Sequence, residues 1–168
     1  FNAALSITII NHFDSKINYK TIQKGLDKVT WPARLQKISI KPPIFYDVAH
    51  NPKGIDAMLE AITSIYKCSP VGLITLKNDK EIDMIVKATS GKFKSLIISG
   101  SKKNGLLEGK ELAESFKKLD DSSYIIENSF LKALDDLVKK SGKLNVPGVI
   151  FGSHYVAKEV FDKFGYLI

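Results

Sequence analysis

The chain has 168 residues, 44% of them hydrophobic and 26% charged, with a net charge of +7. That balance describes a soluble globular domain large enough to bury its own core. It excludes a helical membrane span, because no run of about eighteen apolar residues occurs, and an internal disulfide, because Cys68 is the single cysteine. Cys68 also lacks a metal-ligand companion at useful spacing.

The lysine excess raises nucleic acid as a partner, but the lysines are spread over polar helix faces. No basic run is interleaved with aromatics, and no zinc-finger or RNP pattern occurs. A surface drawing in an anionic small molecule suits this charge better, so neither nucleic acid nor membrane is an expected partner. The opening residues show no basic-then-apolar leader pattern. With the thiol unpaired, a reducing cytoplasm is the expected compartment.

The chain opens at Phe1-Asn2-Ala3-Ala4-Leu5, which reads as the interior of a helix, so a fragment of a longer protein is expected. Residues 2–12 place Ala3, Ile7 and Ile10 on one helical side, and Asn18 to Lys28 continue as a second helix. Thr30-Trp31-Pro32-Ala33-Arg34 breaks the pattern, since proline lacks an amide donor and biases its predecessor to extended geometry. A domain junction is expected there. Ile38-Ser39-Ile40 predicts a short strand, and Pro42-Pro43 a stiff turn into the apolar run Ile44 to Tyr46. Asn51-Pro52 supplies an N-cap and a first-turn proline, and Ile55, Met58, Leu59, Ile62 and Ile65 then share one helical face. Further along, strands are predicted at Val71–Leu76, Ser95–Ser99, Tyr124–Ile126 and Val149–Phe151. Helices are predicted around Glu81–Ala88, through Leu112, Phe116 and Leu119, and over Phe130–Lys139 and Tyr155–Phe164.

Short continuous apolar strands alternating with helices predict a Rossmann-like α/β fold: a mostly parallel six-stranded sheet covered on both faces. The strand near Ile38 arrives without a crossover helix and is expected to pair antiparallel at one edge.

In such sheets ligands sit beyond the carboxyl ends of the strands, and two segments place unusual polar residues there. Asp47 and His50 lie between a strand and the helix opened by Asn51-Pro52, whose first-turn amides favour an anion. Gly152-Ser153-His154-Tyr155 follows the last strand; Gly152 permits close backbone approach, and Ser153 is a natural cap and donor. Turn and cap chemistry accounts equally for Asp47 and Asn51 on spacing alone, a serine placed like Ser153 is more often a plain cap, and a histidine before a helix is commonly a surface residue. Gly100-Ser-Lys-Lys-Asn-Gly105 imitates the start of a phosphate loop, but Leu106-Leu107 stand where Lys and Ser/Thr are required. No GxGxxG, HExxH or GxSxG pattern occurs.

Taken in order, Trp31-Pro-Ala-Arg34, Asp47-Val-Ala-His50-Asn-Pro, Leu76-Lys-Asn-Asp79-Lys80 and Gly152-Ser153-His-Tyr155 resemble the C-terminal portion of folylpolyglutamate synthase/dihydrofolate synthase, a family of the Mur ligase superfamily. That family carries W-P-G-R, D-G-A-H-N-P, a D-K-D-like stretch and G-S-L-Y at these places. Asn2-Ala-Ala-Leu also resembles the end of its central ATPase domain. The departures are Ala33 and Val48 for glycine and His154 for leucine. The segment after Gly100 also lacks the usual Pro-Arg-Ala pattern.

The resemblance implies residues 1–30 as the end of a central ATPase domain, 31–36 as a hinge and 37–168 as a C-terminal Mur ligase-type domain. It implies an ADP-forming ligase that adds L-glutamate to folate or dihydropteroate through an acyl phosphate. ATP and Mg2+ would be held mainly by the central domain, and the C-terminal part would be inactive alone. Asn2, Arg34 and Asp47 would contact ATP, His50 and Ser153 would hold glutamate, and Asp47 and His50 would be the catalytic pair. A peptidoglycan-precursor ligase of the same superfamily and a non-catalytic anion-binding Rossmann-like module are the alternatives.

Overall fold

The computed structural model describes residues 2–29, 31–78, 81–100, 105–119 and 124–166. Thr30 of the junction, Asp79-Lys80 of the D-K-D-like stretch and residues 101–104 of the glycine-bearing loop lie outside them, as does the side chain of Asn2. The chain divides into two compact units, Phe1–Pro32 and Ala33–Ile168. Among the described residues no helix is long and apolar enough to cross a membrane.

The first unit is a helix pair, α1 (Asn2–Phe13) and α2 (Tyr19–Asp27). Asn18 starts α2 by accepting the Thr21 amide on its side-chain oxygen at 2.9 Å, satisfying one of the donors a helix start leaves open. None of the described residues in this unit is buried, and Leu5, Ile9, Ile10 and Phe13 are all exposed.

The second unit contains β1 (Gln36–Ile40), β2 (Pro43–Tyr46), α3 (Pro52–Tyr66), β3 (Val71–Ile74), α4 (Ile82–Thr89), β4 (Ser95–Ile98), α5 (Gly109–Leu119), β5 (Ile125–Ile126), α6 (Phe130–Leu144), β6 (Gly148–Phe151) and α7 (Ala157–Phe164). The six strands form one sheet in the order β1-β2-β6-β3-β4-β5. Among the described strands β1 and β2 pair antiparallel, and the other neighbouring strands pair parallel. This is the mostly parallel Rossmann-like sheet with one antiparallel edge strand that the sequence pattern predicts.

Alternation along each strand splits the core. Ile74 and Ile98 face α3, α4 and α5, packing with Ile55, Ile62, Ile85 and Phe116. Leu73 and Ile97 face α6 and α7, packing with Leu134, Leu137 and Val160. Both faces of the sheet are therefore covered, which is why β3 and β6 read as unbroken apolar runs and are buried throughout.

Local chemistry explains the helix boundaries. Asn51 accepts the Gly54 amide at 2.8 Å and Pro52 occupies the first turn of α3. At the other end Lys67 closes the helix in the left-handed region at φ 55°, its amide bonded to the Thr63 carbonyl at 2.8 Å. Lys67 is exposed, so its side chain contributes little packing while its Cβ is strained. Lys67→Gly is expected to stabilise the chain by roughly 0.5–1 kcal/mol, measured as a rise in thermal midpoint of a few degrees. α7 begins at Ala157 rather than at Tyr155, because Ser153 to Val156 form a turn first.

Candidate functional site

The parallel ladder brings the ends of β2 and β6 side by side, with Tyr46 opposite Ile150 and the Asp47 amide bonded to the Ile150 carbonyl at 2.9 Å. Asp47 is the first residue past β2 and is buried. Both oxygens of its carboxylate accept from the backbone: Oδ1 takes the Ala49 amide at 2.7 Å and Oδ2 the Leu35 amide at 2.7 Å. The second bond spans from the strand end to the turn that leads into β1. Two further bonds pin that turn: the Val48 amide to the Ala33 carbonyl at 3.0 Å, and the Ala33 amide to the Gln36 side-chain oxygen at 2.9 Å. Ala33 and Leu35 hold left-handed backbone at φ 57° and φ 45°, a conformation that persists only where its surroundings over-determine it.

Burial pushes the Asp47 carboxyl above its ordinary value, while the amides of Leu35 and Ala49 and the charge of Arg34 pull it back. Arg34 is exposed at the apex of the pinned turn. His50 is half-buried, with Nδ1 2.8 Å from the Val48 carbonyl. A carbonyl only accepts, so Nδ1 carries the hydrogen and Nε2 is left for other chemistry. Arg34, Asp47, His50, Asn51 and Met58 line one cleft of about 280 Å³ at the start of α3.

Arg34 thus comes together with Asp47 and His50, which share the loop between β2 and α3, at the carboxyl edge where open α/β sheets bind ligands. Ser153 stands on the adjacent strand end, outside the lining of that cleft. It is buried, its Oγ accepts the Tyr155 amide at 3.1 Å, and its carbonyl accepts the Tyr46 hydroxyl at 2.8 Å. Asn2 belongs to the first unit, at the start of α1. Among the described residues no group of three or more His, Cys, Asp or Glu is placed to hold a metal ion. Among the described residues the cleft offers one carboxylate and one imidazole, which do not make a Mg2+ site by themselves.

Two features of this edge have no signature in the sequence. Tyr46 reads as the last apolar residue of a strand, yet its hydroxyl reaches Ser153. Lys77, just beyond β3, lies with Nζ 5.3 Å from the ring centroid of Tyr155, which in turn packs against His154 at 4.2 Å. Both arise because β6 inserts between β2 and β3, which no local pattern announces.

The fold and this edge define a class: an open Rossmann-like domain presenting an acid, an imidazole and a guanidinium beside a helix start. No family model matches the chain. A curated dihydrofolate synthase/folylpolyglutamate synthase from Mycobacterium tuberculosis is 27% identical over 104 residues, covering 58% of this chain and 21% of that protein. One from Buchnera aphidicola of Acyrthosiphon pisum is 29% identical over 161 residues, covering 94% of this chain and 38% of the relative. Among solved structures, the folylpolyglutamate synthase of Mycobacterium tuberculosis complexed with ADP and AMPPCP superposes with a TM-score of 0.86 at 23% identity, over 99% of this chain and 40% of that one. A bifunctional folylpolyglutamate synthase/dihydrofolate synthase with Mn, AMPPNP and L-glutamate bound gives 0.79 at 18% identity, over 98% and 39%.

The chain is similar to the folylpolyglutamate synthase/dihydrofolate synthases, and the similarity is to their C-terminal part. It spans less than half the length of these relatives.

Proposed function

We propose that this chain is the C-terminal part of an ATP-dependent ligase that joins L-glutamate to folate or dihydropteroate. In the first step a substrate carboxylate oxygen attacks the terminal phosphorus of ATP, the bond to ADP breaks, and an acyl phosphate forms. In the second the glutamate amine attacks the acyl carbon and inorganic phosphate leaves. Such chemistry depends on positioning, charge stabilisation and exclusion of water from the acyl phosphate.

The observation that carries the reading is the convergence of Arg34, Asp47 and His50 on one cleft, each standing at its motif position in the family pattern. The Arg34 guanidinium suits a fork-like grip on phosphate. Asp47 already accepts two backbone amides, which supports a role in orienting the Arg34 turn over one in reading ribose or base. His50 Nε2, beside the start of α3, suits an incoming anionic amino acid. Ser153 keeps its hydroxyl hydrogen for the same molecule, and Asn2 is assigned to the nucleotide.

The relatives' greater length and the exposed Leu5, Ile9, Ile10 and Phe13 of α1 support residues 1–30 as the edge of a nucleotide-holding domain. On this reading 31–36 is a hinge and 37–168 the closing domain, with ATP and its divalent metal held on the other side.

The test is ADP release by the longer ligase chain against a panel of amino acids. Turnover is expected with L-glutamate and a folate or dihydropteroate, and none from residues 1–168 alone. His50→Ala is expected to lower kcat/KM by at least about 100-fold, on the scale of lost positioning and proton-transfer groups. Turnover unchanged in that variant removes His50 from the chemistry, and a preference for another amino acid removes the glutamate assignment.

A further inference from the structure

We infer that Tyr46 is a positioning residue: its hydroxyl sets the Gly152–Tyr155 loop relative to the Asp47-held turn, and so fixes where the amino-acid substrate sits against the nucleotide. The inference rests on the function proposed above, because it takes Ser153 as a contact of glutamate and Arg34 as a contact of ATP.

The two loops have a common origin in consecutive residues of one strand end. Asp47 holds the 33–36 turn through the Leu35 amide, on one side of the sheet. Tyr46, whose side chain points the opposite way by strand alternation, donates to the Ser153 carbonyl at 2.8 Å. Its ring is fully buried against Phe161 of α7, edge to face at 5.7 Å. The phenol is held as a donor at all ordinary pH, because burial first, and the charges of Glu159 and Asp47 second, push its ionisation well above the usual tyrosine range.

The loop is gripped on its other flank as well. A Cβ at Gly152 would meet the Thr75 carbonyl at 2.2 Å, so that backbone lies directly against the end of β3. The Ser153 Oγ then ties down the Tyr155 amide. With the β3 side and the turn itself fixed, the Tyr46 hydroxyl extends the β2–β6 ladder, which ends at the Asp47–Ile150 bond, by tying the loop itself to the strand that carries Asp47. A buried phenol bonding to whichever carbonyl is nearest would look the same in one bond. The difference lies in which substrate notices its removal.

Tyr46→Phe keeps the ring against Phe161 and deletes only the donor. In the 168-residue chain, amide hydrogen exchange over residues 153–156 is expected to quicken at least about tenfold, with α3 unchanged. In the longer ligase the KM for L-glutamate is expected to rise about five- to tenfold while the KM for ATP stays within twofold. Unchanged exchange over 153–156 overturns the clasp itself. Faster exchange with equal shifts in both KM values, or with neither shifted, overturns the positioning role. Faster exchange in the variant, together with a longer parent ligase that shows no glutamate-dependent turnover, overturns the proposed function, and the positioning role with it, while leaving the clasp in place.

Discussion

Gly152→Ala is expected to destabilise the chain by roughly 3–5 kcal/mol, the sum of backbone strain and overpacking, and to lower the thermal midpoint by about 10 °C. Two causes act together. Gly152 sits at φ 104°, where an L side chain is strained. The new Cβ would also meet the Thr75 carbonyl at 2.2 Å and the Leu76 side chain at 3.0 Å. The first obstacle is backbone at the end of β3, buried on both faces, so it cannot swing aside as a flexible side chain would. Gly91→Ala separates the causes. It also has positive φ, at 67°, but nothing lies within 4 Å of its Cβ, so only the dihedral cost of about 1–2 kcal/mol remains. Denaturant midpoints for the two variants measure the difference directly. Equal losses would mean that the loop after β6 yields easily and that its close seat on β3 has little consequence. A large gap is expected, with the Gly152 variant also misplacing Ser153 and its turn.

Elements with local causes were legible before the structure. The start of α3 follows from Asn51 and Pro52, whose capping and φ preferences act within one turn. The unbroken apolar strands reveal a sheet covered on both faces, and the missing crossover before Ile38 reveals the antiparallel edge. The placement of β6 between β2 and β3 was not legible, because strand order is decided by how far each crossover reaches. For the same reason the Tyr46–Ser153 bond, between residues 107 apart in sequence, left no trace in any window.

The candidate site divides along the same line. Asp47, His50 and Ser153 stand out because strand ends in this fold point toward ligands. What Asp47 does there depends on an amide at Leu35 that no side-chain pattern encodes. Ala33 shows a middle case: the family pattern has glycine at this place, and φ 57° supplies the reason. The substitution was visible in sequence, but the left-handed turn that makes it matter was not.

Asp47→Ala removes a carboxylate from two amides at 2.7 Å, one of them buried. Leaving such donors unpaired costs about 1–3 kcal/mol each, so a loss of roughly 3 kcal/mol is expected, less where water reaches the Leu35 amide. Asp47→Asn keeps one acceptor but turns an NH2 group toward the other amide, so an intermediate loss is expected. In the longer ligase both variants should act through the turn that carries Arg34, weakening ATP before glutamate.

The pH dependence has a definite sign. Burial raises the Asp47 pKa above its ordinary 3.8, against the opposing pull of the Leu35 and Ala49 amides and Arg34. A carboxyl whose folded pKa lies above its unfolded one holds its proton more tightly in the folded chain. Its contribution is therefore fully present below 3.8 and is lost as pH climbs through the raised value. Asp47→Asn has nothing to titrate there. Its stability gap to the parent should shrink as pH rises from acid through that window and then stay level. A gap that widens over the same range would show that the two amides outweigh burial. In that case the anion, rather than the neutral acid, is the form the folded turn prefers.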